Sequence, residues 1–154
     1  MLRAIVVVMP VLAIAPAIAR AEIPRRIADI IRAEADRVGL DPVLLLVIAE
    51  LESGGDPASC TGSDCGVFQL GRAEFRRYGG GDIFDARDNA RAAADMIADQ
   101  VDDFRAEHGR DPTWTEVYLT HQQGRGGLAA HVADPERLAW RSMWSTAEGR
   151  ARCA

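Results

Sequence analysis

One stretch, "PVLLLVIAELESGG" over residues 42 to 55, constrains the fold of this 154-residue chain more than any other. Asp41 before it is an N-cap, Pro42 suits the first helical position, and Gly54 and Gly55 supply a stop. Seven consecutive apolar residues, Val43 to Ala49, make the helix apolar nearly all round, as a buried central helix requires. A chain of this length holds one domain with a real core, and too little for two.

The remaining segments read as further helices around that one. "IPRRIADIIRAEADRVG" places Ile23, Ile27, Ile30, Ile31 and Val38 on one stripe, with Gly39 as the stop. "DARDNARAAADMIADQVDDFRAEHG" sets Ala93, Met96, Ile97, Val101 and Phe104 at helical spacing and ends at Gly109. "DPTWTEVYLTHQQG" begins with a cap at Asp111 or Thr113 and ends at Gly124. "GGLAAHVA" and "DPERLAWRSMWS" suggest two more short helices, and "GVFQLGRAEFRRYGGG" a short apolar piece with a helical turn. Residues 53 to 66, rich in Gly, Ser, Asp and Cys, make a loop. No segment alternates persuasively with the period of a strand. The expected fold class is all-α (mainly α), mostly or wholly helical around the Val43 to Leu51 helix.

Residues 1–21 stand apart. "MLRAIVVVMPVLAIAPAIARA" has Arg3 in a short n-region, an uncharged stretch from Ala4 to Ala19, and two small-x-small sites. The uncharged stretch is shorter than the roughly 20 residues a membrane span needs, and it carries Pro10 and Pro16. The expectation is a cleaved signal peptide, no stable membrane anchor, and a mature domain over residues 22–154 in the periplasm or medium. In such an oxidising compartment, Cys60 and Cys65 are expected to close the loop around "TGSD" as a disulfide. Cys153 is left over, either free or paired with one of the other two.

Charge and ligand spacing exclude other classes. The net charge is -5, and no basic stripe is present to neutralise phosphates, so nucleic acid is not the expected partner. Three cysteines and three histidines show no C-x2-C or H-x3-H spacing, so a metal is not expected.

Against this background, Glu52 is unusual. It lies four residues after Ile48 and seven after Leu45, sharing their face. It also sits in the last helical turn, at the negative end of the helix dipole. Desolvation and the dipole both disfavour its ionised form. A carboxylic acid held protonated near neutral pH is what general-acid cleavage of a glycosidic bond needs. Periodicity does not separate it from Glu50, which also follows apolar residues one and two turns back. Both also fit a solvated, frayed helix end.

"ELESGGDP", "GVFQLG" and "YLTHQQGRGG" follow one another in an order that separates the two glutamates. Over roughly residues 24 to 130 the chain resembles the soluble lytic transglycosylase (SLT) domain family, lysozyme-like proteins acting on peptidoglycan. The family's Glu-Ser pair corresponds to Glu52 and Ser53, and its Gly-x-x-Gln segment to Gly66, Val67, Phe68 and Gln69. Its Tyr-Asn-x-Gly segment corresponds to His121, Gln122, Gln123 and Gly124, with histidine for tyrosine and glutamine for asparagine. "DIFDARDNARAAADMI" also resembles the helix between the family's second and third segments.

The resemblance implies a lysozyme-like single domain with Glu52 as the one essential catalytic carboxylate and with no metal or cofactor. Glu52 would cut the β-1,4 bond between N-acetylmuramic acid and N-acetylglucosamine and assist closure of a 1,6-anhydro ring. Gln69 would meet an N-acetyl group or serve as a loop amide. Ser53 and Phe68 would contact the site or belong to the helix end and the core. His121 would face the substrate or sit hydrogen-bonded in the core, while Gln122 supplies the amide. Arg125 would meet the muramyl lactate or peptide carboxylates, or stand exposed. The implied partner is the peptidoglycan glycan strand, with an envelope-spanning secretion or conjugation apparatus as one setting. Two alternatives remain: a hydrolytic muramidase using Asp56 or Asp64 to activate water, and a non-catalytic wall-binding or assembly module.

Overall fold

The computed structural model describes residues 22–133, which form five helices and a small sheet. The signal-peptide reading, Cys153 and the helix expected over "DPERLAWRSMWS" lie outside the described residues. In chain order the elements are α1 (Arg25–Val38), α2 (Pro42–Ser53), β1 (Cys60–Thr61), β2 (Asp64–Cys65), β3 (Leu70–Gly71), α3 (Arg72–Tyr78), α4 (Ala86–His108) and α5 (Trp114–Ala133). The fold is mainly α, as expected, and the long α4 packs against α1, α3 and α5.

Local chemistry accounts for the helix ends. Asp41 caps α2 by accepting from the Val43 N–H at 2.9 Å, and Gly54 ends the helix. Asp85 caps α4 through the N–H groups of Arg87 and Asp88. Thr113 and Glu116 bond reciprocally at the start of α5, the capping-box arrangement. Gly124 bends α5 with φ 69° and ψ 176°, a conformation open essentially only to glycine. That bend is where the sequence places a helix end.

The core joins Ile31 and Ala35 of α1, Leu44, Leu45, Ile48 and Ala49 of α2, and Ile97 and Val101 of α4. Val67, Phe68 and Leu70 fill it from the loop side. Ala90, Ala92, Ala93 and Ala94 are fully buried, so small side chains let neighbouring elements come close to α4. Glu34, buried on α1, is neutralised by Arg37 at 2.7 Å, which also reaches Asp95 of α4 at 2.9 Å.

Two expectations need correction. First, strands are present: β1, β2 and β3 form an antiparallel sheet pairing Cys60 with Cys65 and Cys65 with Leu70. Strands of two residues are too short for alternation to register in the sequence. The Cys60–Cys65 disulfide closes across the first pair, as expected. Second, α2 is not buried all round. Val43, Val47 and Leu51 form a stripe at four-residue spacing that stays exposed.

The loop following β2 is anchored from α4. Asn89, fully buried, accepts from the Phe68 N–H at 2.9 Å and donates to the carbonyls of Cys65 at 3.1 Å and Ile83 at 3.0 Å. Gly66 makes this approach possible: a Cβ there would lie 2.2 Å from Asn89 Nδ2. Its φ of 84° favours glycine independently.

Candidate active site

Glu52 leaves the last turn of α2 and enters a polar cleft of about 200 Å³, lined also by Thr61, Asp64, Gln69, Glu74, His121 and Gln122. Four stretches meet there: the end of α2, the disulfide-closed sheet with its following loop, the start of α3, and α5. The Glu52 side chain is only 11% exposed and the His121 side chain 6%, so both are largely desolvated.

Two side chains of α5 face Glu52. Gln122 Nε2 donates to Glu52 Oε1 at 2.5 Å, and His121 Nε2 lies 3.7 Å from the same oxygen. The amide donor and an imidazolium each favour the ionised carboxylate, opposing desolvation and the helix dipole. A glutamine suits both protonation states, because its N–H can donate to Oε1 whether or not Oε2 carries the proton. Tyr118, one turn earlier, has its hydroxyl pushed above the ordinary tyrosine value, by burial first and by the charge of Glu52 second.

Glu50, the other candidate from periodicity, faces elsewhere. It lines a separate groove between α1 and α2 with Arg25, Asp29 and Arg32. Residues two apart on a helix point in different directions, and the cleft takes Glu52.

The loop residue Gln69 carries a positive φ of 47°, a conformation side-chain-bearing residues seldom adopt. Its amide donates to the carbonyls of Ser59 at 3.0 Å and Gly66 at 2.9 Å, so it braces the loop while lining the cleft. Ser53 is outside the cleft lining. Its hydroxyl donates to the Val67 carbonyl at 2.8 Å and accepts from the Gly55 N–H, tying α2 to the loop.

Phe68 and Arg125 also lie outside the cleft lining. Phe68 is fully buried and belongs to the core, since the same loop that exposes Gln69 turns the preceding side chain inward. Arg125 pairs with Asp103 at 2.8 Å and Glu107 at 3.1 Å, both on α4, because the bend at Gly124 turns it toward that helix. Of the two muramidase candidates, Asp64 lines the cleft, whereas Asp56 is exposed and accepts from the Ala58 N–H.

Thr61 and Glu74 were not singled out by the sequence. Thr61 and Asp64 sit between the bonded cysteines, so the disulfide holds both on one short hairpin. Glu74 accepts from the Gly71 N–H at the start of α3, and "GRAE" carries that spacing.

A wider groove of about 810 Å³ runs past Arg25, Arg26, Phe84 and Arg87, but Glu52, Gln69, His121 and Gln122 do not line it. Among the described residues, no group of three or more His, Cys, Asp or Glu is gathered to hold a metal ion. No helix among them is long and apolar enough to cross a membrane. The arrangement offers acid–base chemistry: two largely desolvated carboxyl groups, Glu52 and Asp64, an imidazole, two amides and the further carboxylate of Glu74.

A comparison with curated proteins gives no match. The family model described as the Transglycosylase SLT domain matches residues 29–139, a span containing Glu52, Gln69, His121 and Gln122. The chain belongs to the transglycosylase SLT domain family.

Proposed function

We propose that the protein is an exported lytic transglycosylase that cuts the β-1,4 bond between N-acetylmuramic acid and N-acetylglucosamine. The observation that carries this reading is the contact of Glu52 with Gln122 and His121 inside a polar cleft shared with Gln69.

In this reading, Glu52 gives its proton to the glycosidic oxygen as the bond to C1 of the muramic acid breaks. The departing sugar leaves with a hydroxyl group. Glu52, now ionised, takes the proton of the muramic acid's own C6 hydroxyl as that oxygen bonds to C1, closing the 1,6-anhydro ring. Glu52 ends protonated, and no water is consumed. Gln122 holds the carboxyl group throughout by donating its N–H to Oε1, in the ionised and the protonated state alike, so that Oε2 carries the proton toward the substrate. The low exposure of the Glu52 and His121 side chains strengthens these contacts.

Mass spectrometry of muropeptides released from purified sacculi tests the reaction. Products ending in 1,6-anhydromuramic acid, lighter by one water than reducing ends, support it. Reducing ends support a muramidase, a second reading favoured by Asp64 lining the cleft beside Glu52. N-terminal sequencing of the extracytoplasmic protein tests export, with a start at Glu22 expected.

A further inference from the structure

His121 is the only basic side chain lining the cleft among the described residues. Every other ionisable lining group is a carboxylate: Glu52 from α2, Asp64 from β2 and Glu74 from α3. Tyr118 approaches from α5 itself, one turn before His121. The imidazole Nε2 is 3.7 Å from Glu52 Oε1, and neither side chain is more than about a tenth exposed, so solvent screens the pair weakly.

We propose that His121 is a positioning residue that titrates together with Glu52 and thereby sets the pH range in which Glu52 carries its proton. This rests on Glu52 being the acid of the proposed reaction. Two groups this close take up protons as a pair. In a cleft of carboxylates, the first proton bound by the pair rests on His121, because the imidazolium is stabilised by each of them. While that cation stands beside it, Glu52 holds its negative charge to lower pH. The neutral carboxyl group that protonates the glycosidic oxygen therefore forms at lower pH than it would opposite an uncharged neighbour. The effect is reciprocal: the Glu52 carboxylate raises the pH at which His121 loses its proton.

The test has an arm that needs no turnover. The chain has three histidines, His108, His121 and His131, and comparison with His121→Gln identifies the His121 imidazole signal by NMR. In Glu52→Gln, His121 should titrate about one pH unit or more lower than in the wild type, with His108 unmoved. An unchanged His121 titration would overturn the pairing, as would a fall of that size on Asp64→Asn in place of Glu52→Gln. The second arm is the pH profile of muropeptide release. The alkaline limb of His121→Gln should move to higher pH by a similar amount, with His108→Gln following the wild type. A limb that stays in place would show that His121 does not govern Glu52. The NMR arm reads the pair even if the released products prove to be those of a hydrolase.

Discussion

Gln122 donates its amide hydrogen to Glu52 at 2.5 Å across a sequence separation of 70 residues. This bond joins the end of α2 to the middle of α5 and presents the Glu52 carboxyl group to the cleft. Hydrogen bonds to charged groups contribute about 1.5–3 kcal/mol. Gln122→Ala should therefore lower turnover on sacculi about 10- to 100-fold, with an unchanged circular dichroism spectrum. Loss of folding in place of turnover would make the contact purely structural.

Glu52 and Glu50 give a sharper contrast. Glu52→Gln keeps the shape of the side chain but cannot donate a proton, and general acid–base assistance typically contributes about 10²- to 10⁴-fold. Turnover should fall by at least that range. Glu50→Gln, altered in the α1–α2 groove, should retain most activity. Equal losses in the two variants would remove Glu52 from the acid role.

Asn89 satisfies three backbone groups around the loop that carries Gln69. Asn89→Ala leaves them buried and unpaired, at about 1–3 kcal/mol each before relaxation. We expect a loss of about 3 kcal/mol in urea unfolding, and activity lost with the loop geometry. A change below about 0.5 kcal/mol, the size of an ordinary surface substitution, would contradict the anchoring role.

Acid stability should depend on Glu116. The Arg110 guanidinium beside it, first among the causes, lowers its carboxyl from the ordinary value near 4.5 to about 2. A carboxylate depressed by folding stabilises the native state fully above its unfolded value, and that contribution is lost as pH falls toward the folded one. Wild-type thermal stability should thus fall between about pH 4.5 and pH 2, a window set by that shift. Glu116→Gln should show a shallower fall in the same window. Parallel melting curves for the two proteins would show that the pair contributes nothing.

Cys60 and Cys65 should resist thiol labelling until the protein is reduced. A loop this short is stabilised by about 2 kcal/mol in the chain-entropy picture, so reduction should lower the melting temperature modestly. Because Thr61 and Asp64 lie between the two cysteines, reduction should also weaken substrate turnover. Labelling of either residue in the unreduced, unfolded protein would require a different pairing.

Much of the helical framework was legible in the chain. Asp41, Pro42 and Gly54 bound α2, Ala93, Met96, Ile97, Val101 and Phe104 mark the inner face of α4, and Gly124 marks the bend in α5. These features are local: caps, stops and periodicity depend on residues within a turn or two of one another. The three ordered motifs named the family for the same reason, since each is a short contiguous pattern.

What only the tertiary structure decided was which side chains share a space. Periodicity treated Glu50 and Glu52 alike, and the packing of α1 on one side and α5 on the other assigned them to different surfaces. The turn at Gln69 sent Phe68 into the core, and the bend at Gly124 turned Arg125 toward Asp103 and Glu107. Asn89 carries no motif, yet its three bonds hold the loop, because its partners lie 6, 21 and 24 residues away. The chain by itself determined its helices and its family, through interactions close in sequence. The cleft depended on contacts such as that of Gln122 with Glu52, which exist only once distant segments have been brought together around a common core.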